Sequence, residues 1–433
     1  MHTGTSSGLD SDTRLRNLLA DHQFLRVQAQ LAQLPPKQAQ FYKGILANRC
    51  NDAKTSIELL EPLADQVAAG GDRAAEKLLR KALAEDYLRL GDWTKAAAAY
   101  QLLATRLDDQ LTADERDEIE MPVKLLPLAK ANPQMTVEPS EPFVLQVSRD
   151  PLGLIEIPVF VDARPHSWML DPTAPFNLIA RSLAREAGLK VGEESATIHT
   201  LTGRPMQVYT AVVPRFTIGG RLTLRNMTVF VFDDADYTFP RSGYQVQGVL
   251  GYPALAALGS LTITDSATIA VEPASQPPEL ASDPPTKAGA PALPAQKTPP
   301  GGAPFYLDGD QIVVALGKEG DERMYALDAG SQQTYLTSRY YAEHMDDFNG
   351  KRQQLVTLPG MPSMPAQSAF VADTVALEVG LQTVRVHFVQ VLTQPLGQSA
   401  LDDVYGVLGV DALDQLKAYT FDYRSMRFSV RPE

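Results

Sequence analysis

Two aspartates are the residues whose type and setting suggest chemistry. Asp328 ends the apolar run Tyr325-Ala326-Leu327 and is followed by Ala329-Gly330-Ser331; Asp171 ends Trp168-Met169-Leu170 and is followed by Pro172-Thr173-Ala174. Each carboxylate closes a strand-like segment and stands on a turn of small residues, where it can take up or release a proton. Each copy then meets a Gly-Val-Leu-Gly signature. The first is Gly248-Val249-Leu250-Gly251, before Tyr252-Pro253-Ala254-Leu255, and the second is Gly406-Val407-Leu408-Gly409, before Val410-Asp411-Ala412-Leu413. The aspartates are offset by 157 positions and the glycine signatures by 158. Two markers at nearly one offset point to a tandem duplication.

The elements that must hold these turns repeat as well. β-rich runs precede the first aspartate, among them Leu154-Ile155-Glu156-Ile157 and Val159-Phe160-Val161; Phe305-Tyr306-Leu307 and Gln311 to Leu316 precede the second. A short helix is expected after each turn, over 178–187 with Gly188 as a left-handed cap, and over 336–344. A loop with a Gly and Pro tip follows in each copy, Leu201-Thr202-Gly203-Arg204-Pro205 and Leu358-Pro359-Gly360-Met361-Pro362. Further strands pass through Phe216 to Gly220 and Leu377 to Gly380 before the glycine signatures.

This arrangement resembles the retropepsin-like aspartic peptidases, whose pattern is apolar-apolar-Asp-Thr/Ser-Gly-Ala/Ser, a flap loop, and apolar-apolar-Gly before a short helix. The resemblance covers about 143–272 and 304–432. It implies two lobes of one chain facing across a pseudo-twofold axis, with Asp171 and Asp328 as a catalytic pair. Carboxylates a few ångströms apart cannot both ionise comfortably, so one keeps a proton. The ionised member can then activate a water while the protonated one polarises a peptide carbonyl, and the pair titrates as a unit. Thr173, Gly330 and Ser331 would support the turns, and Thr202, Gly203, Pro359 and Gly360 would belong to the flaps over an extended substrate.

The turns also depart from the family pattern. Pro172 and Ala329 stand where a Thr or Ser hydroxyl would tie the two turns together. Gly330 fits the next position, whereas Thr173 brings a side chain into it. Pro172 lacks a backbone donor. Ser331 could hydrogen-bond its aspartate; Ala174 has no group to do so. The second lobe is near the pattern and the first is eroded.

Upstream, apolar spacing is helical from about 13 to 120, with Leu15, Leu18, Leu19, Phe24, Leu25, Val27 and Leu31 recurring three and four apart. Tyr87, Gly91, Trp93, Ala96 and Tyr100 resemble a tetratricopeptide-type helical hairpin; a weaker pair precedes it, with Asn51 where the turn glycine would be. Such pairs stack into one small superhelical domain. Prolines at 122, 127, 133, 139 and 142 are expected to stop helices and mark a boundary. Residues 273–304, rich in Pro, Ala, Gly and Ser, read as a linker.

The fold class expected is therefore multidomain α + β: an N-terminal α-helical hairpin domain, then two all-β acid-protease lobes. The expected divisions are a disordered tail 1–12, a helical domain 13–132, lobe 1 over 143–272, the linker 273–304 and lobe 2 over 305–433. The chain has 433 residues, 44% hydrophobic and 21% charged, with a formal net charge of −13 and no basic cluster, which argues against nucleic acid or anionic lipid as main partner. No apolar run approaches the roughly 20 residues of a membrane span. Cys50 is the single cysteine, so neither a disulfide within the chain nor a cysteine metal site is expected. The histidines are scattered and no metal or cofactor motif occurs. Asp233-Asp234-Ala235-Asp236 and Asp346-Asp347 read as solvated acidic loops. The N-terminus lacks a charged-then-apolar leader, which leaves the cytoplasm, or a periplasmic or secreted setting if a leader precedes this sequence. Two functions stay open. One is an aspartic endopeptidase acting on a peptide or protein substrate. The other is a catalytically inactive peptidase-like peptide- or protein-binding module, with the helical domain as a docking surface for a protein partner. A helical region shielding the cleft like a pro-segment would need basic residues facing the aspartates, and none is evident.

Overall fold

The structure is a computed structural model. It describes residues 6–431 apart from 152, 173, 200–204, 240–242, 265–266, 275–301, 310, 319, 329–332, 359–365, 380–381 and 397–399.

Eight helices come first: α1 (Ser6–Ala20), α2 (Phe24–Gln30), α3 (Pro36–Arg49), α4 (Ala53–Leu60), α5 (Ala64–Ala69), α6 (Arg73–Arg89), α7 (Trp93–Arg106) and α8 (Ala113–Ala129). α1 begins inside the segment expected to be a disordered tail. Asp12 explains part of this, since its carboxylate accepts from Tyr42 Oη at 2.7 Å and Gln38 Nε2 at 3.1 Å, tying α1 to α3. The two helical hairpins turn alike. Gly91 has φ 70°, and Asn51, among the non-glycine types that best tolerate this region, has φ 58°. The following aspartates then cap the next helices: Asp52 accepts the Thr55 N–H at 3.1 Å and Asp92 the Lys95 N–H at 3.0 Å.

α8 corrects the expectation that its prolines stop a helix. A capping box of Thr112 and Glu115 starts it, and it runs through Pro122 and Pro127. Proline removes one intrahelical donor each time. Tertiary ties offset that loss: Lys77 Nζ lies 2.9 Å from Glu115 and Lys81 Nζ 2.7 Å from Glu118, both joining α8 to α6. Among the described residues no helix is long and apolar enough to cross a membrane.

The rest is β-rich. The strands of the first half are β1 (Thr136–Val137), β2 (Phe143–Gln146), β3 (Ser148–Arg149), β4 (Ile155–Val161), β5 (Arg164–Leu170), β6 (Leu178–Ala180), β7 (Ser195–His199), β8 (Pro205–Ile218), β9 (Leu222–Phe232), β10 (Thr238–Phe239), β11 (Tyr244–Gln245), β12 (Gly248–Leu250), β13 (Ser260–Thr264) and β14 (Thr268–Glu272), with helices α9 (Arg181–Glu186) and α10 (Tyr252–Leu258). The second half has β15 (Gly302–Asp308), β16 (Gln311–Leu316), β17 (Arg323–Leu327), β18 (Tyr335–Leu336), β19 (Gln354–Val356), β20 (Gln367–Val379), β21 (Gln382–Leu392), β22 (Gly406–Leu408), β23 (Ala418–Asp422) and β24 (Arg427–Val430), with α11 (Ser338–Glu343) and α12 (Val410–Leu413). β15 takes up the last residues of the segment expected as linker.

The helices expected over 178–187 and 336–344 begin later than anticipated. Their first residues are strands, because β6 pairs with both β12 and β9, and β18 with both β22 and β21. The strand order β9-β6-β12-β5-β4 in the first half matches β21-β18-β22-β17-β16 in the second.

A six-stranded run, β15-β24-β23-β13-β14-β2, joins the halves. At its centre β13 pairs antiparallel with β23, Ser260 facing Asp422 and Leu261 facing Phe421. Thr262 faces Thr420, the residue 158 positions on, with the two hydroxyls 2.8 Å apart. The pairing thus maps onto itself under the offset of the glycine signatures, as strands related by a local twofold axis must.

Candidate functional site

Each aspartate follows a strand that ends in apolar residues, Trp168-Met169-Leu170 of β5 and Tyr325-Ala326-Leu327 of β17. β5 runs parallel to β12, Leu170 beside Leu250, and the Asp171 N–H donates to the Leu250 carbonyl at 3.1 Å. β17 runs parallel to β22, Leu327 beside Leu408, and the Asp328 N–H donates to the Leu408 carbonyl at 3.0 Å. Both aspartates are half-buried. Trp168 and Tyr325, three residues before them, are buried core residues.

The glycine signatures have a packing reason. A Cβ on Gly248 would lie 2.3 Å from the Trp168 indole, and one on Gly406 2.6 Å from the Leu336 side chain. A Cβ on Gly251 would meet the Phe176 carbonyl oxygen at 2.2 Å. The chain leaving β12 therefore passes hard against the Asp171 turn, and the Tyr252 N–H donates to the Ala174 carbonyl at 2.8 Å. Two buried side chains hold this approach. The Gly251 N–H donates to Asn177 Oδ1 at 3.1 Å, and the Gly409 N–H to Thr334 Oγ1 at 2.9 Å. Thr334 Oγ1 donates in turn to Asp411 at 2.6 Å. Asn177 and Thr334 escaped sequence reasoning, yet they stand 157 positions apart, the aspartates' own offset.

Tyrosines missed in the sequence surround the turns. Burial, and to a lesser degree the Asp171 charge, pushes the Tyr237 hydroxyl up. Burial first, then Tyr252 and Asp171, does the same to Tyr423, which follows β23 in the second half. Tyr335 is raised by burial and next by Asp328. Among the described residues, the buried Tyr335 and Tyr423 hydroxyls have no hydrogen-bond partner.

The Asp171 turn also leans on the helices. Buried Pro172, with Pro175, faces Glu85, Arg89, Tyr100, Glu118 and Pro122 across a cavity that Tyr252, Leu307 and Gly309 complete. Where the family pattern has a hydroxyl aimed at the opposite turn, this chain has an apolar ring packed toward α6, α7 and α8. Next to that cavity, Arg49 Nη2 pairs with Asp308 at 2.8 Å and Arg49 Nη1 with Glu85 at 3.0 Å, fastening the β15–β16 hairpin to α3 and α6.

Thr173, Gly330, Ser331, Thr202, Gly203, Pro359 and Gly360 lie outside the described residues. The hairpins that would carry the two flaps are described up to their tips, β7 with β8 and β19 with β20. Of the acidic loops, Asp233 pairs with Arg181 and Asp234 accepts the Ser182 N–H at 3.1 Å, so both hold the start of α9.

Residues 157–254, which include Asp171 and the first glycine signature, match a family described as aspartyl protease. Among solved structures, the chain is similar to a retropepsin-like aspartic protease from Rickettsia conorii, at 15% identity and a TM-score of 0.22, covering 33% of this chain and 98% of that one. It is also similar to basic 7S globulin from soybean, at 9% identity and a TM-score of 0.38, covering 68% of this chain and 97% of that one. No curated protein matches.

Proposed function

We propose that this chain is an aspartic endopeptidase in which Asp171 and Asp328, one from each of two tandem lobes, share the water that attacks a peptide bond. The observation that carries this reading is the common seat of the two aspartates. Each follows a strand lying parallel to a Gly-Val-Leu strand, and each donates its N–H to the leucine carbonyl of that signature. A self-matching β13–β23 pairing between the halves supports a twofold arrangement of the two seats. The substrate would lie extended between the lobes, beneath the β7–β8 and β19–β20 hairpins. The helical region, a tetratricopeptide-type array in this reading, braces the lobes. Cleavage of an unfolded protein such as casein from pH 3 to 8 tests the proposal. Asp328→Asn should lower the rate by about 10²–10⁴-fold, the usual worth of a positioned proton-transfer group; undiminished cleavage overturns it.

A second reading, a peptide-binding module without catalysis, is favoured by Pro172 and Ala329, neither of which has a hydroxyl to tie the turns. Peptide binding without turnover would support it. Restoring Asp-Thr-Gly after both aspartates (Pro172→Thr with Thr173→Gly, and Ala329→Thr) should then switch hydrolysis on.

A further inference from the structure

α8 keeps its helix through two prolines, and what it touches gives that persistence a use. Near its middle, Glu118 stands so close to the tip between β15 and β16 that a Cβ on Gly309 would lie 2.1 Å from Glu118 Oε1. One turn on, the buried Pro122 shares with Glu118 the cavity walled by Pro172 and Pro175 of the Asp171 turn. Residues four apart share a helix face, so a single face of α8 meets both. The same helix packs against β7 and β8, the hairpin that overhangs the first aspartate in the peptidase reading. One rod thus extends from the lobe 2 hairpin tip, past the Asp171 turn, to the lobe 1 hairpin.

The rod is held firmly. Lys77–Glu115 and Lys81–Glu118 fix it to α6. Just past its end, Asn132 Nδ2 donates to the hydroxyls of Thr210 on β8 and Thr228 on β9, at 3.1 and 3.2 Å. A helix with side chains is about 10–12 Å across, more than the roughly 5 Å between neighbouring strands. An extended polypeptide therefore has no room to pass between the hairpin and the turn where α8 lies.

We propose that α8 closes one end of the groove between the lobes. A bound polypeptide can then leave the aspartate pair in one direction only, and the substrate class is chain termini and short peptides rather than the interior of a long chain. The inference rests on the reading of Asp171 and Asp328 as a peptidase pair and narrows it, from an endopeptidase acting anywhere along a chain to a peptidase cutting near chain ends.

The test uses the full-length protein and a mixture of peptides of about 14 residues with randomised sequence. These are offered with free ends, acetylated, or amidated, and products are mapped by mass spectrometry. Cleavage should cluster within a few residues of one terminus. In Glu118→Ala with Pro122→Ala the cluster should move inward by about one residue, since the side-chain length removed approaches the roughly 3.3–3.6 Å span of an extended residue. Glu118→Gln keeps the shape and should leave the cluster in place, while urea midpoints show that all variants fold. Internal cleavage by the wild type, or an unmoved cluster in the double variant, overturns the wall and leaves the peptidase reading standing. Cleavage by the double variant alone also overturns it, since α8 would then be a plug. No cleavage by any form overturns the peptidase reading, and the wall with it.

Discussion

Asn177 and Thr334 help give the site its shape. Each accepts the N–H of the last glycine of a signature, and Gly251 passes within contact distance of the Phe176 carbonyl. Thr334 is 2% exposed, so the Gly409 N–H it satisfies has no ready recourse to water. Replacing Thr334 with Val keeps the shape and removes both of its hydroxyl bonds. Stability should fall by about 1–3 kcal/mol, the penalty of an unsatisfied buried polar group, while Thr334→Ser should restore most of it. Urea unfolding of the three proteins checks this. At this scale the sequence was informative where spacing carried the signal. The aspartates and glycines were legible because they recur at nearly one offset, 157 and 158 positions. Asn177 and Thr334 recur at that offset too, but their differing types hid the match. Pro172 reads as a loss when compared with a hydroxyl, and its packing against the helices comes from contacts distant in the chain.

Among the elements, the turn between α1 and α2 and helix α6 each bury a titratable group, His22 and Asp86, and the two titrations oppose each other. Burial lowers His22, with Asp308 opposing and Arg49 reinforcing the shift; Asp403 and Arg339 also face it. Burial raises Asp86 to about 7 against the pull of Arg89, Ser56 and Asn48, and Glu85 adds to the rise. A histidine lowered in the fold costs stability as pH falls below its unfolded value near 6.5, because the unfolded chain then binds the extra proton. An aspartate raised in the fold keeps its proton longer than the unfolded chain does. Its contribution is therefore complete below about 3.9 and lost as pH rises toward about 7. The two slopes partly cancel in the wild type. Relative to it, Asp86→Asn should gain stability at pH 7 over pH 5, and His22→Gln at pH 5 over pH 7. Urea midpoints at the two pH values separate them. Periodicity revealed the helices but not these contacts, since a helical face shows where apolar residues lie and not which charged ones will be enclosed. α8 was misread for a related reason: proline density gives a local preference, and tertiary ties to α6 overrode it.

The molecule as a whole has its two halves stitched along β13 and β23, strand against equivalent strand. A seam of this kind fits a copy of either side as well as it fits the other. Residues 143–274 made alone would present β13 with an open edge, and open edges recruit strands. Two such fragments can lie antiparallel with Thr262 against Thr262 in the register that Thr420 now completes. The fragment should therefore sediment as a dimer, and Thr262→Asp, which sets two like charges opposite each other at the crossing point, should shift it toward monomer while leaving the β5–β12 pairing intact. A chain built from two like halves carries in its seam the recipe for assembling from separate ones.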